Sequence, residues 1–87
     1  MNYKDAATLG QAVKTWREDH HYRMGDAAKV ANIPYASFQR IEYDQGNPRI
    51  KNLALIARAL DMSTDEVIAR WFNDDDDKKR SITEGNI

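Results

Sequence analysis

Apolar residues along this chain recur at spacings of three and four, and nowhere do apolar and polar positions alternate over a useful length. That period belongs to amphipathic helices rather than half-buried strands. Leu9, Val13 and Trp16 predict a first helix over about 6–19, with Asp5 as its N-cap. A second, over 24–31, presents the small residues Ala27, Ala28 and Ala31. A third, over 35–43, carries Phe38 and Ile41 three apart, and Pro34 just ahead of it suits a helix start. A fourth, over 50–60, has Ile50, Leu53, Ile56, Ala57 and Leu60 as its stripe. The fifth, over 64–72, opens on a capping box made by Ser63 and Glu66, and Val67, Ile68, Trp71 and Phe72 are its apolar members. Residues 73–87, NDDDDKKRSITEGNI, hold one acidic and one basic block and few apolar residues. That composition predicts a flexible, disordered tail. The expected fold is all-α, a compact five-helix domain over 1–72 followed by the charged tail 73–87.

The joint between the second and third helices narrows the choice. Only Asn32, Ile33 and Pro34 connect them. A joint so short between two short helices is helix-turn-helix geometry, with axes crossing at roughly 90–120°. Such a crossing asks for a small residue midway along the first helix, and Ala28 supplies one. It also asks for a turn residue that tolerates positive φ. Glycine is commonest there and Asn32 is the next best choice. Ile33, Phe38 and Ile41 then pin the third helix from below.

Composition removes several classes of function. Eighty-seven residues make at most one domain with a modest core. The absence of cysteine excludes disulfides, thiolate chemistry and cysteine-ligated zinc. No apolar run approaches the roughly 20 residues of a membrane helix. The start of the chain has no apolar h-region, so a cytoplasmic protein is expected. No Ser/His/Asp constellation, glycine-rich phosphate loop or acid pair stands out, so neither an enzyme nor a cofactor is expected. His20 and His21 are adjacent and do not share a helix face, which is poor geometry for a metal. They read instead as helix C-terminal histidines favoured by the helix dipole. The net charge is −1. It divides into 10 basic and 9 acidic side chains over 1–72, and 3 and 5 over 73–87. Within 35–58, Arg40, Arg49, Lys51 and Arg58 outnumber Glu42 and Asp44, so one region can be locally positive.

A wider pattern surrounds the bihelical unit. Leu9, Val13, Trp16 and Arg17 stand in the first helix. Ala28, Asn32, Ile33, Phe38, Ile41 and Glu42 mark the unit itself. Asn47–Pro48, Ile50, Leu53, Ala57, Ala59, Leu60, Ser63, Asp65 and Glu66 follow without an insertion. This pattern covers some two thirds of the chain and resembles the phage-repressor, Xre-like (lambda-repressor-like) helix-turn-helix family. A helix-turn-helix pattern alone is weakly specific, but matching helices on both sides make it much more so. There are departures. Met24 stands where the family usually has a phosphate-clamping glutamine. His21 and Asp44 stand where it has glycine. Ala27 and Ala31 replace larger aliphatics, a loss of volume that the large Trp16, Tyr22 and Phe38 are expected to restore.

The resemblance implies a third helix that lies in the major groove of duplex DNA. Tyr35, Ala36, Gln39 and Arg40 face outward by period and are the candidate base readers. A glutamine matches adenine N6 and N7, and an arginine matches guanine O6 and N7. Arg23, Tyr43, Gln45, Asn47, Arg49 and Lys51 are the candidate phosphate contacts. Glu42 is expected to pair with Arg17 and brace the first helix against the third. One such helix reads few base pairs, so a homodimer on two half-sites is expected, with Leu55, Ile68, Trp71 and Phe72 as its interface. The implied function is that of a bacterial or phage-encoded transcriptional regulator, in particular a repressor. The alternative is an antitoxin-like or anti-repressor-binding module whose main partner is a protein, such as a toxin or an anti-repressor.

Overall fold

A short 3-10 turn (Tyr3–Asp5) precedes helices α1 (Leu9–Asp19), α2 (Met24–Ala31), α3 (Tyr35–Glu42), α4 (Ile50–Leu60) and α5 (64–72) in the computed structural model. The structure describes residues 2–72, and the tail expected over 73–87 lies outside them. Among the described residues there is no strand, and no helix is long and apolar enough to cross a membrane.

The first helix begins at Leu9, later than the expected residue 6. Thr8, not Asp5, is its N-cap, and the Thr8 hydroxyl accepts from the Gln11 N–H at 3.1 Å. A second cap arrives from across the fold, where the Asp44 carboxylate accepts from the Gly10 N–H at 2.9 Å. Two of the free N–H groups of the first turn are thereby satisfied, and a carboxylate sits at the positive end of the helix dipole. Ala6, expected inside the helix, is extended and buried against the core. Gly10 is required by the close approach. A Cβ there would stand 2.5 Å from both an Asp44 carboxylate oxygen and the Glu42 carbonyl oxygen.

Helices α1 to α4 all end in the same way. After each comes a residue in the left-handed region: His21 (φ 58°), Asn32 (φ 62°), Asp44 (φ 55°) and Asp61 (φ 55°). The next residue's N–H then bonds back to the carbonyl five residues earlier. These bonds are Tyr22 to Arg17 at 3.0 Å, Ile33 to Ala28 at 2.9 Å, Gln45 to Arg40 at 2.8 Å and Met62 to Ala57 at 2.9 Å. This is the Schellman closure, in which glycine is the usual left-handed residue. None of the four is glycine here. Asn and Asp tolerate the conformation through their short polar side chains, whereas His21 has less excuse. Asn32 fulfils the turn role expected of it.

The core gathers one stripe from each helix. Leu9, Val13 and Trp16 of α1 meet Phe38 and Ile41 of α3, with Leu53, Ile56 and Leu60 of α4 and Val67 of α5. Ala27, Ala28 and Ala31 are buried on α2, and Trp16 and Phe38 are buried with them. Tyr22 packs on the same core and meets Trp16 edge-on at 5.6 Å, so large aromatics accompany the small α2 face. Each fully buried large apolar side chain contributes roughly 1.5–3 kcal/mol. Ile50 departs from expectation. It is the first residue of α4, beyond the end of the buried stripe, and is 65% exposed.

The capping box at α5 forms as the sequence indicated. Ser63 Oγ accepts from the Glu66 N–H at 3.1 Å and Glu66 Oε1 accepts from the Ser63 N–H at 3.3 Å. The Ser63 backbone N–H, and then its hydroxyl, hold the Glu66 carboxyl below the usual carboxylate range. The N-terminal turn ties the last two helices together. Tyr3 donates its hydroxyl to the Leu60 carbonyl at 2.8 Å, and Arg70 donates to the Lys4 carbonyl at 2.5 Å.

Candidate nucleic-acid interface

Helix α3 has a clear inner and outer side. Phe38, Ile41 and Glu42 are buried, Tyr35, Ala36 and Arg40 are exposed, and Gln39 is half-buried. The inner side is held by polar bonds as well as packing. Arg17 donates through Nε to Glu42 Oε1 at 2.7 Å and through a terminal nitrogen to Oε2 at 2.9 Å. Its other terminal nitrogen donates to the Tyr22 carbonyl at 3.2 Å. The bond to Glu42 raises the Arg17 guanidinium above its ordinary pKa, against the lowering effect of burial. The pairing of Arg17 with Glu42 expected from sequence is therefore present, as a bidentate bridge that joins α1 to the end of α3. Asp44, one residue beyond the Tyr43 C-cap, bonds to Gly10 on the same rear side. Both acids near the end of α3 are thus turned towards α1.

The outer side carries the other candidates. Tyr35 is 53% exposed and its ring lies 3.9 Å from where a Gly25 Cβ would stand, so it adjoins the start of α2. Arg23, the α2 N-cap residue, is exposed there and makes no side-chain cap. Met24, in place of the family's glutamine, packs at the edge of the core. At the other end of α3, Tyr43, Gln45 and Asn47 are exposed, and Arg49 is the exposed N-cap residue of α4. Arg40, Gln45, Asn47 and Arg49 line one recess together with Ser37 and Asn52. Arg49 also borders a larger trough between α2 and α4, with Lys51, Lys29 and Leu55. Neither space has a carboxylate among its lining residues.

Several participants were not foreseen. Ser37 and Asn52 line the recess, and the visible signal was Asn52 standing one turn after Arg49 among the apolar residues of α4. Ile50, misassigned to the core, is the most exposed large apolar side chain among the described residues and lies between Arg49 and Lys51. Lys29 adds a cation to the trough.

The four residues expected at a dimer interface are placed differently from one another. Trp71 is 6% exposed and belongs to the core, because its turn of α5 follows Val67 onto the buried face. That corrects its expected exposure. Ile68 is half-buried and Phe72 is 44% exposed. Leu55 is half-buried and lines a second groove with Val30, Arg58 and Ala59.

Two short helices joined through a left-handed asparagine, braced from behind and polar on the outer side of the second, define a helix-turn-helix domain. The helix-turn-helix family model HTH_3 matches residues 13–67. The chain belongs to this family, the phage-repressor, Xre-like helix-turn-helix proteins. Over 48 residues it is 38% identical to the cryptic phage CTXphi transcriptional repressor RstR of Vibrio cholerae serotype O1. That match covers 55% of this chain and 43% of the relative, so it spans less than half of the relative's length. No solved structure matches the chain.

Proposed function

We propose that this protein is a sequence-specific double-stranded DNA-binding transcriptional regulator, a repressor, that lays α3 in the major groove. The outer side of α3 carries this reading: Tyr35, Ala36, Gln39 and Arg40 stand together on a helix whose other face is fixed to the core. Gln39 is the side chain whose amide matches adenine N6 and N7, and Ala36 is small enough to meet a thymine methyl. Arg23 at the start of α2, and Tyr43, Gln45, Asn47, Arg49 and Lys51 around the α3–α4 connection, flank that helix and contact the phosphate backbone. The relative's description as a transcriptional repressor supports the same reading. The protein acts as a cytoplasmic homodimer on a palindrome, because one helix reads only a few base pairs and paired half-sites lie about one helical turn apart. Ile68, Phe72 and Leu55 remain the candidate contacts between copies.

Selection of duplexes from a random pool by the purified chain tests the function. A recovered palindrome with half-sites one turn apart is the expected outcome. Recovery of no preferred sequence refutes sequence-specific binding, and recovery of a single unrepeated site refutes the dimer.

A further inference from the structure

Arg40 and Arg49 come from different elements, yet both line one recess of about 160 Å³, beside Ser37, Gln45, Asn47 and Asn52. Among the described residues neither guanidinium has an ion pair or a side-chain hydrogen bond. The acids that follow Arg40 in the sequence are directed elsewhere: Glu42 bonds Arg17, and Asp44 bonds the first turn of α1. Two like charges on one small recess repel each other, and an anion between them reverses the sign of that interaction.

The Arg40 Cδ is 3.5 Å from where a Cβ on Gly46 would stand, so its stem lies along the loop after α3. Gly46 (φ 75°) leaves that space open. The recess is smaller than the roughly 300–1,000 Å³ of small-molecule pockets, which fits a single tetrahedral anion better than a whole nucleotide. Guanidinium forks match the oxygens of a phosphate group, and Asn and Ser side chains add neutral donors.

We propose that this recess is a phosphate seat in which Arg40 and Arg49 together clamp one phosphate group. Arg40 is then a positioning residue rather than a reader of guanine, and base discrimination falls to Gln39 and Ala36. The phosphate belongs either to the DNA backbone or to a free phosphorylated species. The assignment to DNA rests on the function proposed above; the seat itself does not.

Two arms separate these. In the first, inorganic phosphate is titrated into the DNA-free protein at constant ionic strength, and the side-chain Nε–H signals of Arg40 and Arg49 are followed by NMR. Both are expected to shift together, and Arg40→Ala is expected to abolish the response of Arg49. Absence of any shift, or a response of Arg49 that survives Arg40→Ala, overturns the seat. In the second, parent, Arg40→Ala and Arg40→Lys are compared on the selected duplex and all its single-base variants. Arg40→Ala is expected to weaken binding about tenfold on every sequence alike. It also makes the salt dependence shallower by about 0.9, whereas Arg40→Lys retains the slope. Loss of discrimination at one base pair instead makes Arg40 a base reader and overturns the proposal. Unchanged DNA affinity with an intact phosphate response assigns the seat to a free phosphate. If the parent binds no duplex, the proposed function fails, and the first arm still decides whether the seat exists.

Discussion

Replacing Arg17 by methionine removes the cation of the Arg17–Glu42 bridge but leaves an aliphatic stem of similar length. The Glu42 side chain is 3% exposed and that of Arg17 17%. The carboxylate would lose both charge-assisted bonds where little water can replace them. Breaking one partner of a buried ion pair costs about 3–5 kcal/mol. Access of some water through the more exposed Arg17 side places the expected loss near 3 kcal/mol. With roughly 4–8 °C per kcal/mol in a domain of this size, Tm falls by about 12–24 °C. The double variant Arg17→Met/Glu42→Leu removes the buried charge along with its partner and should return to within about 1–2 kcal/mol of the parent. Urea unfolding followed by tryptophan fluorescence suits the measurement, because both tryptophans, Trp16 and Trp71, are in the core. A single variant that loses under about 1 kcal/mol, or a double variant no more stable than the single, refutes the reasoning. Affinity for DNA, corrected for the folded fraction, should change little in the double variant.

Four further outcomes follow from the helix ends and caps. His21→Gly should stabilise the fold by about 1 kcal/mol through relief of its left-handed backbone; Asp44→Gly gains the same relief but loses the cap on Gly10 and should be net destabilising in the same urea assay. Gly10→Ala should cost about 1–3 kcal/mol or more, because its methyl group collides with backbone as well as side-chain oxygens; a midpoint equal to the parent's would show that α1 and α3 can separate freely. Glu66, whose carboxyl is held below its unfolded value, contributes stability that is present above the usual carboxylate range and lost as pH falls through its folded value. Glu66→Gln should therefore narrow its difference from the parent towards low pH, and a constant difference across the acid limb would contradict the capping role.

Most of the fold could be read in the sequence because the apolar period and the helix ends agree. Pro34, Pro48 and the Ser63/Glu66 box each mark a start, and Asn32 marks the turn between α2 and α3. The start of α1 was misread because two local cap signals compete, Asp5 and Thr8, and Thr8 takes the role; Asp44, 34 residues away, then adds a second cap that the sequence does not show. Ile50 was misread because a stripe drawn on a helical wheel does not say where the neighbouring helices stop. Trp71 is expected at the interface with Ile68 and Phe72, but an apolar cluster on a short helix does not by itself show which member turns inward; Trp71 does, one turn after the buried Val67. The outer side of α3 followed from period alone. The sharing of one recess by Arg40 and Arg49 did not, because it depends on the path of the loop around Gly46.

The rearward direction of Glu42 and Asp44 has an electrostatic consequence. The net charge is only −1, yet among the described residues Asp44 and the Arg17-paired Glu42 lie on the α1 side of α3, and guanidinium groups without an ion pair lie on the other. Such a molecule is drawn to a polyanion by orientation rather than by bulk attraction: a neighbour with the wrong side forward is not held, and one with the right side forward is. Long-range steering of this kind acts on rotation before it acts on distance.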